Sequence, residues 1–279
     1  MTDIYFGLAL IGGLSALLFF WALTLSRQVP RPYIDGLAVL TVAGLLLYTR
    51  FLWDSLLLCQ WLPFSNLIVV GNWFPLSAAF LAGLAWQRVP GRIVRKALSV
   101  TALMGAASFS AVYPLLGAAP DCGKSWLGDV CLQTSSQTCS PASAATLLRA
   151  YGIAATEQEM ADLCLTRGGT TWPGLYHGLK AKTEGTIWDV QAFEWTVDDL
   201  RSRTDPAILS VGLEKGGRFD PAYEREWGWT PGVAHTVVYF RYWNAHRIDM
   251  ADPSVGRELW SEDDLRLLWR GRGMRLVRR

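Results

Sequence analysis

Cys139 stands where an apolar helix is expected to begin, inside the stretch LQTSSQTCSPASAATLL from Leu132 to Leu148. A thiol at that point can serve as a nucleophile, because unpaired N–H groups and the helix dipole at an N-terminus favour the thiolate. A cysteine nucleophile also needs a base, a group that orients the base, and donors for the oxyanion. A small buried cysteine at a helix start would look the same locally, so the rest of the chain has to decide.

The chain has three histidines. His177 falls among Leu175, Tyr176 and Leu179 in a helical pattern, which points to packing or to a surface position. His246 sits in a hairpin turn and is expected to be solvated. His235 opens a strand directly after Gly232-Val233-Ala234, at a sheet end where a side chain can face a cleft. A turn centred on Asn244-Ala245 sets Trp243 opposite His246 and His235 opposite Ser254. Asp252 then lies diagonally from His235 on the same face, at roughly 7–8 Å. A register slip of one residue would turn Asp252 away. Asp249 is the competing acid but lies nearer the turn. For the oxyanion, Gln133 and Gln137 both precede Cys139, and local chemistry does not choose between their amides.

Taken in order, these residues resemble a known family. Gln133-Thr-Ser-Ser-Gln-Thr-Cys139-Ser-Pro-Ala and the helix ending in Tyr151-Gly152 are similar to the start of the C39 peptidases. So are Gly168-Gly169-Thr170-Thr171 to Gly174-Leu175, then His235-Thr-Val-Val, then Asp252-Pro253-Ser-Val-Gly256. That family comprises papain-like cysteine peptidases, best known as domains that cut leader peptides after a double glycine during bacteriocin export. Its pattern has a glutamine six residues before the cysteine, which selects Gln133 over Gln137. The resemblance implies an α+β papain-like domain in which Cys139 attacks a peptide carbonyl, His235 moves the proton, Asp252 orients His235 and Gln133 stabilises the oxyanion. It covers nearly all of residues 131 to 275 and none of the chain before them. Two departures stand out. Ser140 occupies a position where glycine is usual, and no Gly-rich phosphate loop accompanies the motifs, so this chain is not expected to drive export itself. Rival readings keep the same residues: a transglutaminase-like acyl transferase on the same triad, or a non-catalytic peptide-binding receptor.

The elements that must hold these residues can be read from local patterns. A first helix is expected from Pro141 to Tyr151, with Ser140 as N-cap and Gly152 closing it. A second starts at Thr156-Glu157-Gln158-Glu159, which has the form of a capping box, and runs to about Leu165. A third begins near Thr171, with Pro173 in its first turn and Gly185 after its end. Val197-Asp198-Asp199-Leu200 predicts a short helix, followed by a strand from Pro206 to Leu213. Two further strands are expected at His235–Trp243 and Arg247–Ala251. Helices first and strands later imply segregated layers.

The chain as a whole is two unlike halves. It has 279 residues, a formal net charge of +2 and 51% hydrophobic residues, yet nearly all acidic residues follow Pro120. Before that lie four apolar runs, Tyr5–Leu25, Ile34–Phe51, Asn66–Trp86 and Ala97–Leu116. Each approaches the roughly 20 residues a bilayer-spanning helix needs. No polar face recurs at helical spacing in the first, third or fourth, which argues against a soluble helical domain. In the second, Arg50 and Asp54 are spaced to pair on one helix face. The first run lacks the preceding positive charge of a signal peptide. The expected organisation is thus a transmembrane domain of four α-helices over residues 1–118 and a peptidase domain over residues 119–279.

Arg27 and Arg31 flank the first connection, and Arg88, Arg92, Arg95 and Lys96 fill the third, whereas residues 52–65 carry no Lys or Arg. Cytoplasmic loops collect Lys and Arg, so both termini and the catalytic domain are expected outside a bacterial cell membrane. Several of the fourteen tryptophans fall near span ends, as interfacial anchors do. An oxidising location permits a bridge between Cys122 and Cys131, with Cys164 able to replace either. No CxxC pair exists, and neither a metal nor another cofactor is expected. The expected partners are a peptide or protein substrate, the lipid bilayer and a separate transporter or secretion protein, with no nucleic acid. The basic run Arg270, Arg272, Arg275, Arg278 and Arg279 reads as a solvated face or a lipid-headgroup contact.

Overall fold

A computed structural model describes residues 2–279, which form two compact units meeting in sequence between Leu116 and Gly117. The first unit is helical: α1 (Thr2–Gln28), α2 (Arg31–Phe51), α3 (Leu56–Trp61), α4 (Leu67–Val70), α5 (Phe74–Ala85) and α6 (Ile93–Val112). Four stretches are long and apolar enough to cross a membrane, namely Thr2–Gln28, Arg31–Phe51, Leu67–Ala85 and Ile93–Leu115. α1 packs chiefly on α5, where a side chain at Gly83 would collide with the Phe19 carbonyl and with Ala22. Small residues allow such close backbone approach between apolar helices. Ala22, Ile34 and Leu84 form a buried cluster at one end. There Arg88 pairs with Asp35 and donates to the Arg31 carbonyl at 3.2 Å. Elsewhere in the unit Asp3 accepts from Ser65 Oγ at 2.6 Å, and Asn66 Nδ2 donates to the Asp3 carbonyl at 3.2 Å. The first and third connections therefore share one side of the unit.

Two expectations for this unit are corrected. The third apolar run is not one helix, because Gly71-Asn72-Trp73 separates α4 from α5. Polar groups freed by the break find partners: Tyr48 Oη donates to the Gly71 carbonyl at 2.6 Å, and Asn72 Nδ2 donates to Ser110 Oγ at 3.1 Å. Such satisfaction is what an apolar surrounding demands. α2 ends at Phe51, and Asp54 lies beyond it with φ of 52°, so Arg50 and Asp54 do not share a helix face.

In the second unit a short hairpin, β1 (Trp126–Leu127) with β2 (Val130–Cys131), precedes three helices, α7 (Cys139–Ala150), α8 (Glu157–Leu163) and α9 (Trp172–Thr183). Then come β3 (Trp188–Glu194), α10 (Val197–Arg201), β4 (Ala207–Val211), α11 (Ala222–Arg225), β5 (His235–Tyr242), β6 (Arg247–Asp252), β7 (Gly256–Ser261), α12 (Glu262–Leu268) and β8 (Trp269–Arg278). The last six strands make one antiparallel sheet in the order β3-β8-β4-β5-β6-β7. α7 lies against β5 and buries Leu147 and Leu148 completely. Burial of that kind contributes about 1.5–3 kcal/mol per side chain. Leu209, Val211, Val237, Tyr239, Ile248 and Met250 pack with Leu265 and Leu268 in a single core.

The hairpin β5–β6 differs from expectation at its tip. Trp243 N–H donates to the Arg247 carbonyl, leaving a three-residue loop whose Asn244 side chain accepts from the N–H groups of His246 and Arg247. Tyr242 consequently opposes Ile248, one residue out of the expected register. A bulge at Phe240 absorbs the extra residue, and Tyr239↔Met250 and Val238↔Ala251 follow the expected pairing.

α7 starts at Cys139 rather than Pro141, with Thr138 and not Ser140 at the N-cap. At α8 only half of the expected capping box exists: Thr156 accepts from the Glu159 N–H, while Glu159 pairs with Lys182. The arginine run lies along β8, with Arg279 just past its end; Arg272, Arg278 and Arg279 are exposed and Arg270 and Arg275 half-buried. Arg272 pairs with Glu194 at 3.0 Å, Arg275 with Asp205 at 2.7 Å, and Arg270 donates to the Gly212 carbonyl. Its alternation was hidden by Gly273, which gives room to the Phe193 ring and the Ile208 carbonyl. All five cysteines are free, so the bridge between Cys122 and Cys131 is absent.

Candidate functional site

Three segments converge on the end of β5. The first is the chain leading into α7. Cys139 is the first residue of that helix, so its N–H belongs to the four that lack an intrahelical acceptor. Thr138 fixes the entry, its Oγ1 donating to the Ser135 carbonyl and accepting from the Ser135 N–H at 3.0 Å in each case. The second segment is the start of β5, which carries His235. The third is the turn from β6 to β7, where Asp252 pairs with Gly256 and Val255 N–H donates to the Asp252 carbonyl at 3.2 Å. Gly256 has φ of 108°, and a side chain there would collide with Leu127. The positive φ is what calls for glycine, since the exposed Leu127 side chain can move aside.

His235 Nε2 lies 2.9 Å from Asp252 Oδ1, which also accepts from the Ser254 N–H at 2.7 Å. With Nε2 occupied, Nδ1 is the ring nitrogen left for the thiol. Both side chains are largely enclosed, at 17% and 8% exposure. Trp229 sets its ring edge-to-face on His235 at 5.7 Å and on Trp260 at 6.0 Å, covering the pair from one side.

The charges of this group reinforce one another. Burial pushes the Cys139 thiol up, but the hydrogen bond and charge of His235, with hydrogen bonds from Thr236 and Ser140, carry it below its ordinary value. Burial pulls the His235 imidazole down, but hydrogen bonds to Asp252 and Cys139 and their charges raise it to about 10. The other thiols of this unit behave oppositely. Burial foremost, with nearby acids, takes Cys122 up to about 11 and Cys131 up to about 12, and burial alone raises Cys164.

Gln133 is half-buried, and its backbone N–H donates to the Pro253 carbonyl at 2.8 Å. Its Oε1 is buried without a hydrogen-bond partner among the described residues. Gln137 is exposed, His246 is exposed and His177 is buried within α9. Asp249, the competing acid, is held by a two-pronged contact from Arg257 at 2.6 and 2.7 Å, away from His235.

Sequence reasoning missed four residues here. Glu157, read as part of a cap, is fully buried and accepts from both the N–H and the hydroxyl of Thr134, at 2.7 and 2.6 Å. It fixes the segment next to Gln133. Thr236 touches Ser140, and Trp229 sits in a loop whose Gly-Trp-Thr-Pro-Gly composition carries no periodicity. Glu258 accepts from Trp260 Nε1 at 2.9 Å, and burial above all, then the Asp252 charge, raises its carboxyl. Among the described residues no three His, Cys, Asp or Glu side chains lie together as a metal ion requires.

No family model matches this chain. An uncharacterized protein of Methanothermobacter marburgensis is 38% identical over 137 residues, which is 48% of this chain and 79% of that protein. Among solved structures, the chain is similar to the peptidase domain of Streptococcus ComA, a bifunctional ABC transporter involved in quorum sensing, at a TM-score of 0.42 and 19% identity, covering 54% of this chain and 98% of that one. It is also similar to a double glycine motif protease from an AMS/PCAT transporter, solved in complex with the leader peptide, at a TM-score of 0.41 and 13% identity over 59% of this chain and 96% of that one.

Proposed function

This chain belongs to the same family as the uncharacterized Methanothermobacter marburgensis protein, and we propose that it is a membrane-anchored cysteine peptidase of C39-like type. The observation that carries this reading is the 2.9 Å contact between His235 Nε2 and Asp252 Oδ1, which leaves Nδ1 to a thiol at the N-terminus of α7. The ordered motifs Gln133, Cys139, His235 and Asp252 give it its family type.

In this reading the Cys139 thiolate attacks the carbonyl carbon of a peptide bond, forming the C–S bond. The carbonyl oxygen becomes an oxyanion, held by the Cys139 N–H and the Gln133 side-chain amide. Its Oε1 has no hydrogen-bond partner among the described residues, so no acceptor bond of that oxygen opposes the amide presenting Nε2–H to the substrate. His235 gives its Nδ1 proton to the leaving nitrogen as the C–N bond breaks. It then takes a proton from the water that hydrolyses the thioester. Asp252, itself fixed by the Ser254 N–H, keeps the ring oriented and stabilises its cationic form.

In this reading the four apolar stretches anchor the enzyme in a cell membrane, and the Lys and Arg of the first and third connections support an extracytoplasmic catalytic unit. Its substrate is then a peptide or protein segment that reaches that side, delivered by a separate transporter or secretion partner. A receptor that only binds peptides would have no use for a free thiol held below its ordinary value beside an imidazole raised above its own.

The test is turnover of a peptide library by the full chain in detergent or vesicles, read by mass spectrometry. Cys139→Ala is expected to lose activity about 10⁴-fold or more. Undiminished cleavage by that variant, or no cleavage of any peptide by the wild type, overturns the reading.

A further inference from the structure

The sheet register brings a further carboxyl beside the site. Asp252 opposes Gly256 and Met250 opposes Glu258 across β6 and β7. Glu258 is therefore the diagonal neighbour of Asp252 on one face, roughly 7–8 Å away. His235 belongs to the same face, since Val237 and Tyr239 alternate with it along β5 and enter the same core as Met250. The other acids nearby are committed. Asp252 is held by His235, Asp249 by Arg257, and Asp264 by Ser261 and Tyr223. Glu258 is half-buried, and its Oε2 accepts from Trp260 Nε1 at 2.9 Å. Among the described residues no other donor reaches it, and no Lys or Arg pairs with it. Burial and the Asp252 charge both raise its carboxyl, as they do for an anion without a counter-charge. Trp229 joins this carboxyl to the base. Its ring is edge-to-face with His235 at 5.7 Å and with Trp260, the donor to Glu258, at 6.0 Å.

We propose that Trp229 and Glu258 form a subsite for a basic side chain, Lys or Arg, in the first two positions after the scissile bond. The inference rests on the reading of Cys139 and His235 as nucleophile and base, and it names the substrate class of that site. A leaving nitrogen takes its proton from His235, so the chain that departs with it passes the imidazole. The side chains beside the imidazole on its own face are Trp229 and, across Asp252, Glu258. A lysine or arginine stem lies well on an indole, whose face also attracts the charged head. The head then supplies the counter-charge that Glu258 lacks within the protein. An acidic residue in the same positions meets Glu258 and Asp252 as like charges and is disfavoured.

Two measurements on the full chain test this. Peptides cut by the wild type are remade with Lys, Gln or Glu at the first and second positions after the cut, and kcat/KM is compared. Lys should be preferred over Glu, and Glu258→Gln, which keeps an acceptor for Trp260 Nε1, should reduce that ratio about tenfold. Trp229→Leu should reduce it about threefold. The second measurement needs no turnover. Cys139 is modified with a trimethylammonium-bearing and a sulfonate-bearing methanethiosulfonate, each rate being taken relative to neutral iodoacetamide. Peptide mass spectrometry resolves Cys139 from the other four cysteines. The cationic-to-anionic ratio should fall about threefold or more in Glu258→Gln, with Asp252 and His235 unaltered in the comparison. Wild-type cleavage indifferent to charge after the cut, or a reagent ratio that Glu258→Gln leaves unmoved, overturns the subsite. The peptidase reading fails differently. A reagent ratio that depends on Glu258 without cleavage of any peptide sinks the peptidase and leaves a cation subsite beside a reactive thiol. Cleavage without charge selectivity does the reverse.

Discussion

Gln133 and Pro253 are joined by a backbone hydrogen bond of 2.8 Å, which ties the chain entering α7 to the turn that follows Asp252. Buried Glu157 grips the adjoining Thr134 from the other side, through both the N–H and the hydroxyl. The proposed oxyanion donor thus sits on a segment clamped twice.

Glu157→Ala should therefore destabilise the second unit by about 1–2 kcal/mol, because it removes a buried carboxylate that accepts from both the N–H and the hydroxyl of Thr134. Chemical denaturation of the full chain followed by tryptophan fluorescence measures this. A change under about 0.5 kcal/mol would show that the clamp is not needed.

The pH–rate profile should have an acid limb and an alkaline limb of identifiable origin. Activity rises as Cys139 loses its proton at its lowered value and falls as the imidazolium of His235 loses its own, near pH 10. Asp252→Asn removes the carboxylate that holds the imidazole up, so the alkaline limb should move toward the ordinary histidine value of about 6.5. His235→Ala leaves burial dominant at Cys139, and its alkylation midpoint should rise above the ordinary thiol value. An alkaline limb unmoved in Asp252→Asn would separate that carboxylate from His235 in solution.

Orientation in the membrane is testable with exposed positions on either unit. His246→Cys, at the exposed hairpin tip, should react with a membrane-impermeant maleimide on intact cells. Gln87→Cys, exposed beside the third connection, should react only after permeabilisation. The opposite pattern would reverse the proposed topology.

Gly178 faces Cys164 so closely that a methyl group there would collide with its sulfur. Gly178→Ala should lower stability by about 1–3 kcal/mol. Adding Cys164→Ala should recover part of that loss, a non-additivity of about 1 kcal/mol that a double-mutant cycle reads directly. Strict additivity would place the clash elsewhere.

Within the first unit, Tyr48→Phe removes the donor to the Gly71 carbonyl at the break between α4 and α5. A loss of about 1 kcal/mol in the stability of the unit is expected. No loss at all would mean that another donor reaches that carbonyl.

Much of this architecture could be read from periodicity and caps. Thr171 with Pro173 in the first turn marked one helix start, Val197-Asp198-Asp199-Leu200 marked a short helix, and the β-branched run after His235 marked β5. What escaped depended on contacts distant in sequence. β8 was hidden because its arginines neutralise acids on other elements and its glycines break the alternation. Glu157 had the local look of a cap residue, and only its burial beneath Thr134 shows otherwise. Ser140 was expected to cap α7, since a serine before Pro141 usually does. The helix instead begins one residue before Ser140, and the freed hydroxyl turns to Thr236. At the site itself, residue types announced the chemistry, whereas the alignment of His235 with Asp252 depended on a turn whose length the sequence did not declare.

That turn and the bulge at Phe240 behave together as a phase corrector. The hairpin takes on an odd residue at its tip and discharges it at Phe240, whose ring is capped by the Arg257 guanidinium at 3.6 Å. Beyond that point toward the sheet end, the two strands run as if the odd residue had never been inserted. Variation in loop length at Asn244–His246 is thereby insulated from His235 and Asp252. The exposed tip can change in length while the far end of the same two strands holds still.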